Sequence, residues 1–275
     1  MGVIRYDITE EGFTDQNLSL TELSILAGMD SSSYLISDTA AKALAVRAFS
    51  HSQNEPWWLT DERLKSDEFS KVRLAWRSRR FTLVPARLYN GEERTSFLSS
   101  LTTLKDSETV LADSIAGLDT FLVYAVDQAR LSDWRRTFIG CRFYHALTPL
   151  LSQLSRIGQQ LGRPAVFAYL HSGTIYTIGL DRNQLVFCNG FNSPEAKDSL
   201  YYVLLAYQQC SWKTQQIPLY LFGEVLTDAE AYRLLYRYIK QVHFVDFSTG
   251  LHWGIEAAVH PLHLFFDLAA LQQYQ

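Results

Sequence analysis

The chain has 275 residues, of which 47% are hydrophobic and 20% are charged, and this length suits two domains or two lobes. Its net charge of −4 and its isoelectric point near 6.0 argue against a dedicated nucleic-acid binder. Membrane-spanning helices need roughly 18 apolar residues in a row, and no run approaches that length. The acidic start, residues 1–13, has no apolar signal core, so we expect a cytoplasmic protein.

The three cysteines, Cys141, Cys188 and Cys210, are an odd number at wide spacing. They are typical of buried thiols in a reducing compartment. Neither a disulfide framework nor a metal site is predicted from them.

The first half of the chain begins with apolar runs separated by turn residues. Strands are predicted over 18–26, 33–36, 43–49 and 81–88, and helices over 60–76 and 91–101. The longer helix is predicted because Asp61 and Glu62 suit the positive end of a helix dipole. An insertion over 104–140 follows, with a hairpin of 109–115 and 120–126 around Gly117 and a helix over 132–139. A strand over 142–146 and a helix over 148–161 end this half.

The second half gives the clearest pattern. Strands are predicted over 165–170, 174–180, 185–188, 217–222 and 242–247. His171-Ser172-Gly173 supplies the glycine that a tight hairpin turn needs. Ser193 and Pro194 predict one helix start, and Thr227 with Glu230 predicts a second, capped helix. Pro261 begins the closing helix.

Both halves therefore follow one order, strand-strand-strand-helix-strand-helix-strand. This order predicts a duplicated α/β protein with an N-terminal lobe over 1–162 and a C-terminal lobe over 163–275.

Three stretches carry a resemblance to a known family. They are LSILAGMDSSSYLISD, the VYAVD strand followed by a helix, and PLHLFFDLAAL. With the repeated order, they resemble the duplicated ribonuclease H-like fold of the actin-like ATPase superfamily. The chain is similar to an uncharacterised bacterial family with that fold and to the PilM-like proteins of type IV pilus assembly. The resemblance implies two lobes, each with a mixed five-stranded sheet flanked by helices.

Active members of the superfamily hold a nucleotide between the lobes, at glycine turns with aspartates at the strand ends. Here Leu26 stands where the first aspartate is expected, and Tyr169 occupies the second position. The resemblance implies that the following residues line the cleft: Gly28, Asp30, Ser31, Ser172, Gly173, Gly223 and Glu224. Asp30 would replace the missing carboxylate only in a rearranged turn. Because phosphoryl transfer depends on positioned charge and metal, we expect no catalytic residue and no cofactor, with ATP and magnesium as the alternative.

Two further groups suggest interactions. Trp57 and Trp58 lie in a predicted loop, where they form either a partner-binding site or a hydrophobic plug between the lobes. Arg77, Arg79 and Arg80 form a basic cluster that either binds phosphate or an acidic partner or ends a helix favourably.

The leading hypothesis is a catalytically degenerate actin-like scaffold or interaction module with a protein partner, compatible with a membrane-associated complex. The alternative is an ATPase or small-molecule kinase that uses a rearranged cleft between the lobes. A third hypothesis is a sensor that binds nucleotide without cleaving it.

Overall fold

The computed structural model describes residues 3–14, 18–51, 57–59, 61–64, 69–247 and 249–274. The chain divides into two compact units. Unit 1 comprises Met1–Leu150, Thr249–His260 and Leu268–Gln275, and unit 2 comprises Leu151–Ser248 and Pro261–Asp267. Both units take in part of the closing segment, whereas the predicted lobe boundary places all of it in the second lobe.

The main sheet of unit 1 has six strands in the order β1-β4-β3-β2-β5-β9. Their bounds are β1 Val3–Thr9, β2 Thr21–Ala27, β3 Ser31–Asp38, β4 Ala43–Ser50, β5 Lys71–Trp76 and β9 Arg142–His145. Strands β1 to β4 pair in antiparallel fashion, while β5 pairs in parallel with both β2 and β9. One strand more than the expected five is present because Val3–Thr9 pairs along β4.

The predicted helix over 60–76 is wrong. Residues 71–76 form β5, and the described residues before it include two 3-10 turns, Trp57–Leu59 and Glu62–Leu64. Part of this prediction, residues 60 and 65–68, lies outside the described residues. The end of β5 is buried on both faces, and Arg73 is buried there because it pairs with Glu22 at 2.8 Å. Burial in a parallel sheet therefore overrode the charge pattern that favoured a helix.

A separate three-stranded sheet, β6-β8-β7, lies within unit 1. Its bounds are β6 Phe81–Pro85, β7 Glu108–Ser114 and β8 Thr120–Asp127, followed by α2 Gln128–Thr137. The predicted hairpin is confirmed as β7 and β8. The predicted fourth strand, β6, belongs here and not to the main sheet, and it packs with α1 (Arg94–Ser99) over Leu98 and Val123.

Unit 2 holds a five-stranded mixed sheet in the order β12-β11-β10-β13-β14. The bounds are β10 Pro164–His171, β11 Thr174–Asp181, β12 Gln184–Asn192, β13 Leu219–Gly223 and β14 Val242–Phe244. Its helices are α4 Ala196–Gln209 and α5 Glu230–Tyr238, and α3 Leu147–Leu161 runs from unit 1 into unit 2. The apolar core lies between this sheet and helices α4 and α5.

The helix starts differ from the predicted caps. Helix α4 begins at residue 196, and its N-cap is Glu195, not Ser193. The N–H of Glu195 donates a hydrogen bond to the Asp198 carboxylate at 3.0 Å. Helix α5 has Ala229 at its N-cap with no side-chain hydrogen bond, so the box predicted from Thr227 and Glu230 does not form.

The closing segment is interrupted. It comprises α6 Ile255–Ala258, a 3-10 turn Leu262–Phe265 with Pro261 at its N-cap, and α7 Phe266–Gln273. Among the described residues, no helix is long and apolar enough to cross a membrane.

Candidate functional site

A pocket of ≈ 190 Å³ lies in unit 2 where two parallel strands end. Strands β10 and β13 pair in parallel up to Leu170 and Gly223, so their carboxyl ends meet at one edge of the sheet. That edge is where ligands bind in open α/β sheets. The described lining residues are Leu170, His171, Ser172, Gly173, Thr174, Ser193, Pro194, Glu195, Ala196, Ser199, Glu224 and Ala231.

The turn between β10 and β11 forms part of the lining of the pocket. Ser172 and Gly173 have φ angles of 45° and 67°, the left-handed pair that closes a two-residue hairpin. The turn directs the N–H of Ser172 at the Glu224 carboxylate, with a donor–acceptor distance of 2.8 Å. The backbone N–H of Glu224 in turn donates to the Leu170 carbonyl at 2.8 Å. These two bonds hold a carboxylate against the turn.

The position of Glu224 decides which ligands the turn can accept. Backbone amides at such turns hold phosphate oxygens in anion sites. Here the Ser172 amide already has an anionic acceptor, and the other Glu224 oxygen lies 3.4 Å from Nδ1 of His171. A phosphate at this turn would displace a carboxylate and face its charge.

The remaining lining also disfavours phosphate. Glu195 adds a second carboxylate, and no lysine or arginine is among the described residues that line the pocket. Ser193 and Ser199 share a hydrogen bond of 2.8 Å between their hydroxyls. Acidic and hydroxyl groups of this kind suit a small neutral or cationic polar molecule better than a polyphosphate.

Tyr169 stands at the strand position where the resemblance implies a phosphate-site aspartate. Its side chain is 2% exposed, and its hydroxyl donates a hydrogen bond to the Asp267 carboxylate. The ring stacks on Phe222 with centroids 5.1 Å apart. This phenol is therefore part of the unit 2 core, and Asp267, distant in sequence, is a partner that no local pattern predicts.

Gly223 has a structural reason to be glycine. Its φ is +84°, and a Cβ there would lie 2.2 Å from the Leu170 carbonyl oxygen and 2.8 Å from the Tyr169 ring. The close approach of its own chain requires glycine here, without any nucleotide.

The corresponding turn of unit 1 joins β2 to β3. The Gly28 N–H donates to the Ser31 carbonyl at 3.0 Å, and a Cβ on Gly28 would lie 2.7 Å from that oxygen. Leu26 is 1% exposed, whereas Asp30 is exposed and its carboxylate accepts from the Ser31 hydroxyl at 3.2 Å. The predicted cleft residues thus fall into two groups, one in each unit.

The two turns differ from the pattern that the resemblance implies for a magnesium nucleotide. Leu26 and Tyr169 are buried where carboxylates would anchor the metal, and Glu224 occupies the amide of the second turn. Over the part of the chain that the structure describes, no group of three His, Cys, Asp or Glu side chains is arranged to hold a metal ion.

The predicted interaction tryptophans are not exposed. Trp57 and Trp58 are 4% and 8% exposed, and within unit 1 they form an aromatic cluster with Phe49 and Trp134. Both rings therefore contribute to the core of unit 1 and are not exposed loop aromatics. A partner role for them stays a prediction.

The three arginines of the predicted basic cluster have different surroundings. Arg77 is 8% exposed and its N–H donates to the Ala27 carbonyl at 2.8 Å, Arg79 is exposed, and Arg80 pairs with Glu108. These residues follow a strand, so the helix end that would favour cations is absent from this described segment.

One polar cluster of unit 1 was not predicted. The Asp113 carboxylate accepts from the N–H of His145 at 2.7 Å, the Thr148 hydroxyl at 2.8 Å and the Tyr124 hydroxyl at 3.2 Å. Burial raises the pKa of Asp113 to about 6, against the opposing effect of these bonds.

His145 is fully buried beside that carboxylate, and burial lowers the pKa of its imidazole to about 3. The ring is neutral, with Nε2–H donating to the Ser78 carbonyl at 2.9 Å and Nδ1 accepting from the Leu147 N–H at 3.1 Å. No sequence pattern signals this cluster, because its members come from four separate elements, β7, β8, β9 and α3.

Comparisons with known proteins define the class first. A Bacteroides thetaiotaomicron protein with an actin-like ATPase fold and unknown function is 19% identical, with a TM-score of 0.78 over 96% of this chain and 99% of that one. A chain of the PilM–PilN type IV pilus biogenesis complex is 12% identical, with a TM-score of 0.62 over 92% and 98%. The chain has an actin-like ATPase fold, as predicted.

The family follows from the sequence. Residues 10–242 match the model of the DUF3822 family, described as a protein of unknown function, and the chain belongs to that family. A search of curated proteins found no match.

Proposed function

We propose that this protein is a catalytically degenerate actin-like protein that acts in the cytoplasm as a scaffold or interaction module. The observation that carries the proposal lies at the turn between β10 and β11. There the Glu224 carboxylate accepts a hydrogen bond from the Ser172 amide at 2.8 Å. The buried Leu26 and Tyr169 support the same proposal, because the resemblance implies carboxylates at their positions and phosphoryl transfer depends on positioned charge and metal.

A protein partner is supported by analogy with the second structural neighbour. That neighbour is part of a complex of PilM with PilN in type IV pilus biogenesis. A shared fold does not transfer a function, so the partner of this chain is part of the proposal.

The test is a melting experiment with the full chain in magnesium plus ATP, ADP or GTP at millimolar concentration. A ligand at about a hundred times its dissociation constant adds roughly 2.7 kcal/mol to the stability of the folded state, which would raise the melting temperature by several degrees. We expect no rise beyond that produced by magnesium with sulfate at equal ionic strength.

Hydrolysis is measured on the same preparations. We expect phosphate release at the background rate for the wild-type chain and for Asp30→Ala alike. Hydrolysis that is lost in Asp30→Ala but kept in Asp133→Ala, a control at a partly exposed position, would support the ATPase or kinase alternative instead. A melting shift without hydrolysis would support the sensor alternative.

A further inference from the structure

The outer strand of the unit 2 sheet has an open edge. Strand β12 pairs with β11 on one side, and among the described residues no strand pairs with it on the other. An open edge presents unpaired N–H and C=O groups that can pair with another chain.

The register shows which groups face outward. Ser193, just after β12, donates its N–H to the Gly173 carbonyl of the β10–β11 turn at 2.7 Å, so it points inward, towards β11. Since direction alternates along an antiparallel strand, Cys188, Gly190 and Asn192 point outward. The N–H of Gly190 donates to the Asn189 side chain at 2.8 Å and not to β11, as expected for a group that points outward.

The open edge is bounded at both ends. Val186 is the extra residue of a bulge, since Gly179 faces Phe187 and Leu180 faces Leu185. Beyond the other end lies Pro194, which has no N–H to donate. Between them, residues 187–192 carry none of the lysines, prolines or inward charges that protect exposed edges.

This edge is complementary to itself. If two copies pair in antiparallel fashion about Gly190, Gly190 meets its own copy and Cys188 of each chain meets Asn192 of the other. The same register sets Val186, the bulged residue, opposite Pro194, which has no N–H. The two positions that interrupt regular strand pairing therefore lie opposite each other. A two-fold contact sets the same strand of both copies against itself, so charges on that strand would face one another, but residues 184–192 have no charge.

We propose that the protein forms a homodimer in which the β12 strands of two copies pair edge to edge about Gly190. Each outward residue exchanges hydrogen bonds with the other copy, and the Asn189 amide gives up the Gly190 N–H when the dimer forms. This inference is independent of whether the protein binds nucleotide.

The first test measures the mass of the full chain by sedimentation equilibrium from micromolar to hundreds of micromolar concentration. We expect a mass that rises towards twice 31.5 kDa. Gly190→Pro removes the central outward N–H while leaving the β11 side intact, so it should stay monomeric. The matched control Gly190→Ser keeps the N–H and should dimerise like the wild type. Circular dichroism checks that both variants are folded.

The second test traps the register. Residues in a hydrogen-bonded antiparallel pair have Cα atoms roughly 5.5 Å apart, within the range of a disulfide. Gly190→Cys should therefore form a covalent dimer under mild oxidation, while wild type and the exposed turn variant Asn183→Cys should not. A monomer at all concentrations, or a dimer unaffected by Gly190→Pro and not trapped by Gly190→Cys, would overturn the proposal.

Discussion

At the scale of single residues, the glycine at the end of β13 is required by its own surroundings. Gly223 matches the place of a nucleotide-contacting glycine in the resemblance, yet the Leu170 carbonyl and the Tyr169 ring leave no room for a Cβ. The sequence shows that position 223 is glycine, but the contacts that require a glycine there are seen only in the structure.

Gly223→Ala should lower the free energy of unfolding by about 4 kcal/mol or more, because a left-handed φ and a backbone overlap act together. Gly162→Ala is the matched control, since its φ is +62° but nothing lies within 4 Å of its Cβ. The control should lose only about 1 to 2 kcal/mol in urea denaturation. Equal losses in the two variants would show that the overlap relaxes freely.

The Asp113 and His145 pair gives a prediction about pH. The folded pKa of Asp113 is raised to about 6 from 3.8, so its contribution to stability is present below pH 3.8 and is lost as pH rises through 6. The folded pKa of His145 is lowered to about 3 from 6.5, so its contribution is present above pH 6.5 and is lost as pH falls. Between pH 4 and 6 the two effects oppose each other.

Asp113→Asn removes one of the opposing effects. As the pH is lowered from 6.5 to 4, the free energy of unfolding should then fall more steeply than in the wild type. The slope should differ by up to about 1.4 kcal/mol per pH unit. Urea denaturation at several pH values measures this slope, which a lost hydrogen bond alone would not change. Asp119→Asn, an exposed variant in the same hairpin, should keep the wild-type slope. An unchanged slope in Asp113→Asn would contradict the assignment.

At the scale of elements, the Gln272 side chain joins the end of the closing helix α7 to two strands of the main sheet. The Gln272 amide donates to the Ser37 hydroxyl at 2.6 Å and to the Glu22 carboxylate at 2.9 Å, and its carbonyl accepts from Ser24 at 2.6 Å. These partners lie on β2 and β3, so the end of α7 is joined to the centre of the sheet.

Gln272→Ala should lower the free energy of unfolding by about 2 to 4 kcal/mol, because it leaves buried hydroxyls without their partner. The neighbouring Gln273→Ala is the control, and it should lose less than about 1 kcal/mol since Gln273 is only partly buried. Urea denaturation measures both. Similar losses would show that the network is replaceable by water.

Elements were predicted best where residues within the turn itself determine the hairpin. The hairpins β7–β8 and β10–β11 follow from glycine turns between apolar runs and are confirmed. Strand β5 was predicted as a helix because Asp61 and Glu62, which precede it, suit a helix start. Its pairing with β2 and β9 makes it a strand. The network of Gln272 was beyond prediction, since its partners are more than two hundred residues away in sequence.

At the scale of the whole molecule, the sequence by itself determined the fold class. Apolar periodicity and turn residues are local properties, and they sufficed to predict an α/β protein. The actin-like fold was predicted from the resemblance of three stretches to that superfamily, and the comparisons confirm it. The same resemblance implies that Leu26 and Tyr169 stand where aspartates are expected.

Only the tertiary structure decided what surrounds those positions. It set Glu224 against the Ser172 amide, joined Tyr169 to Asp267, buried Trp57 and left the β12 edge open. The physical reason is that each of these features depends on contacts between segments far apart in the chain. Periodicity reports which face of an element is buried, but it does not report which distant group lies against that face.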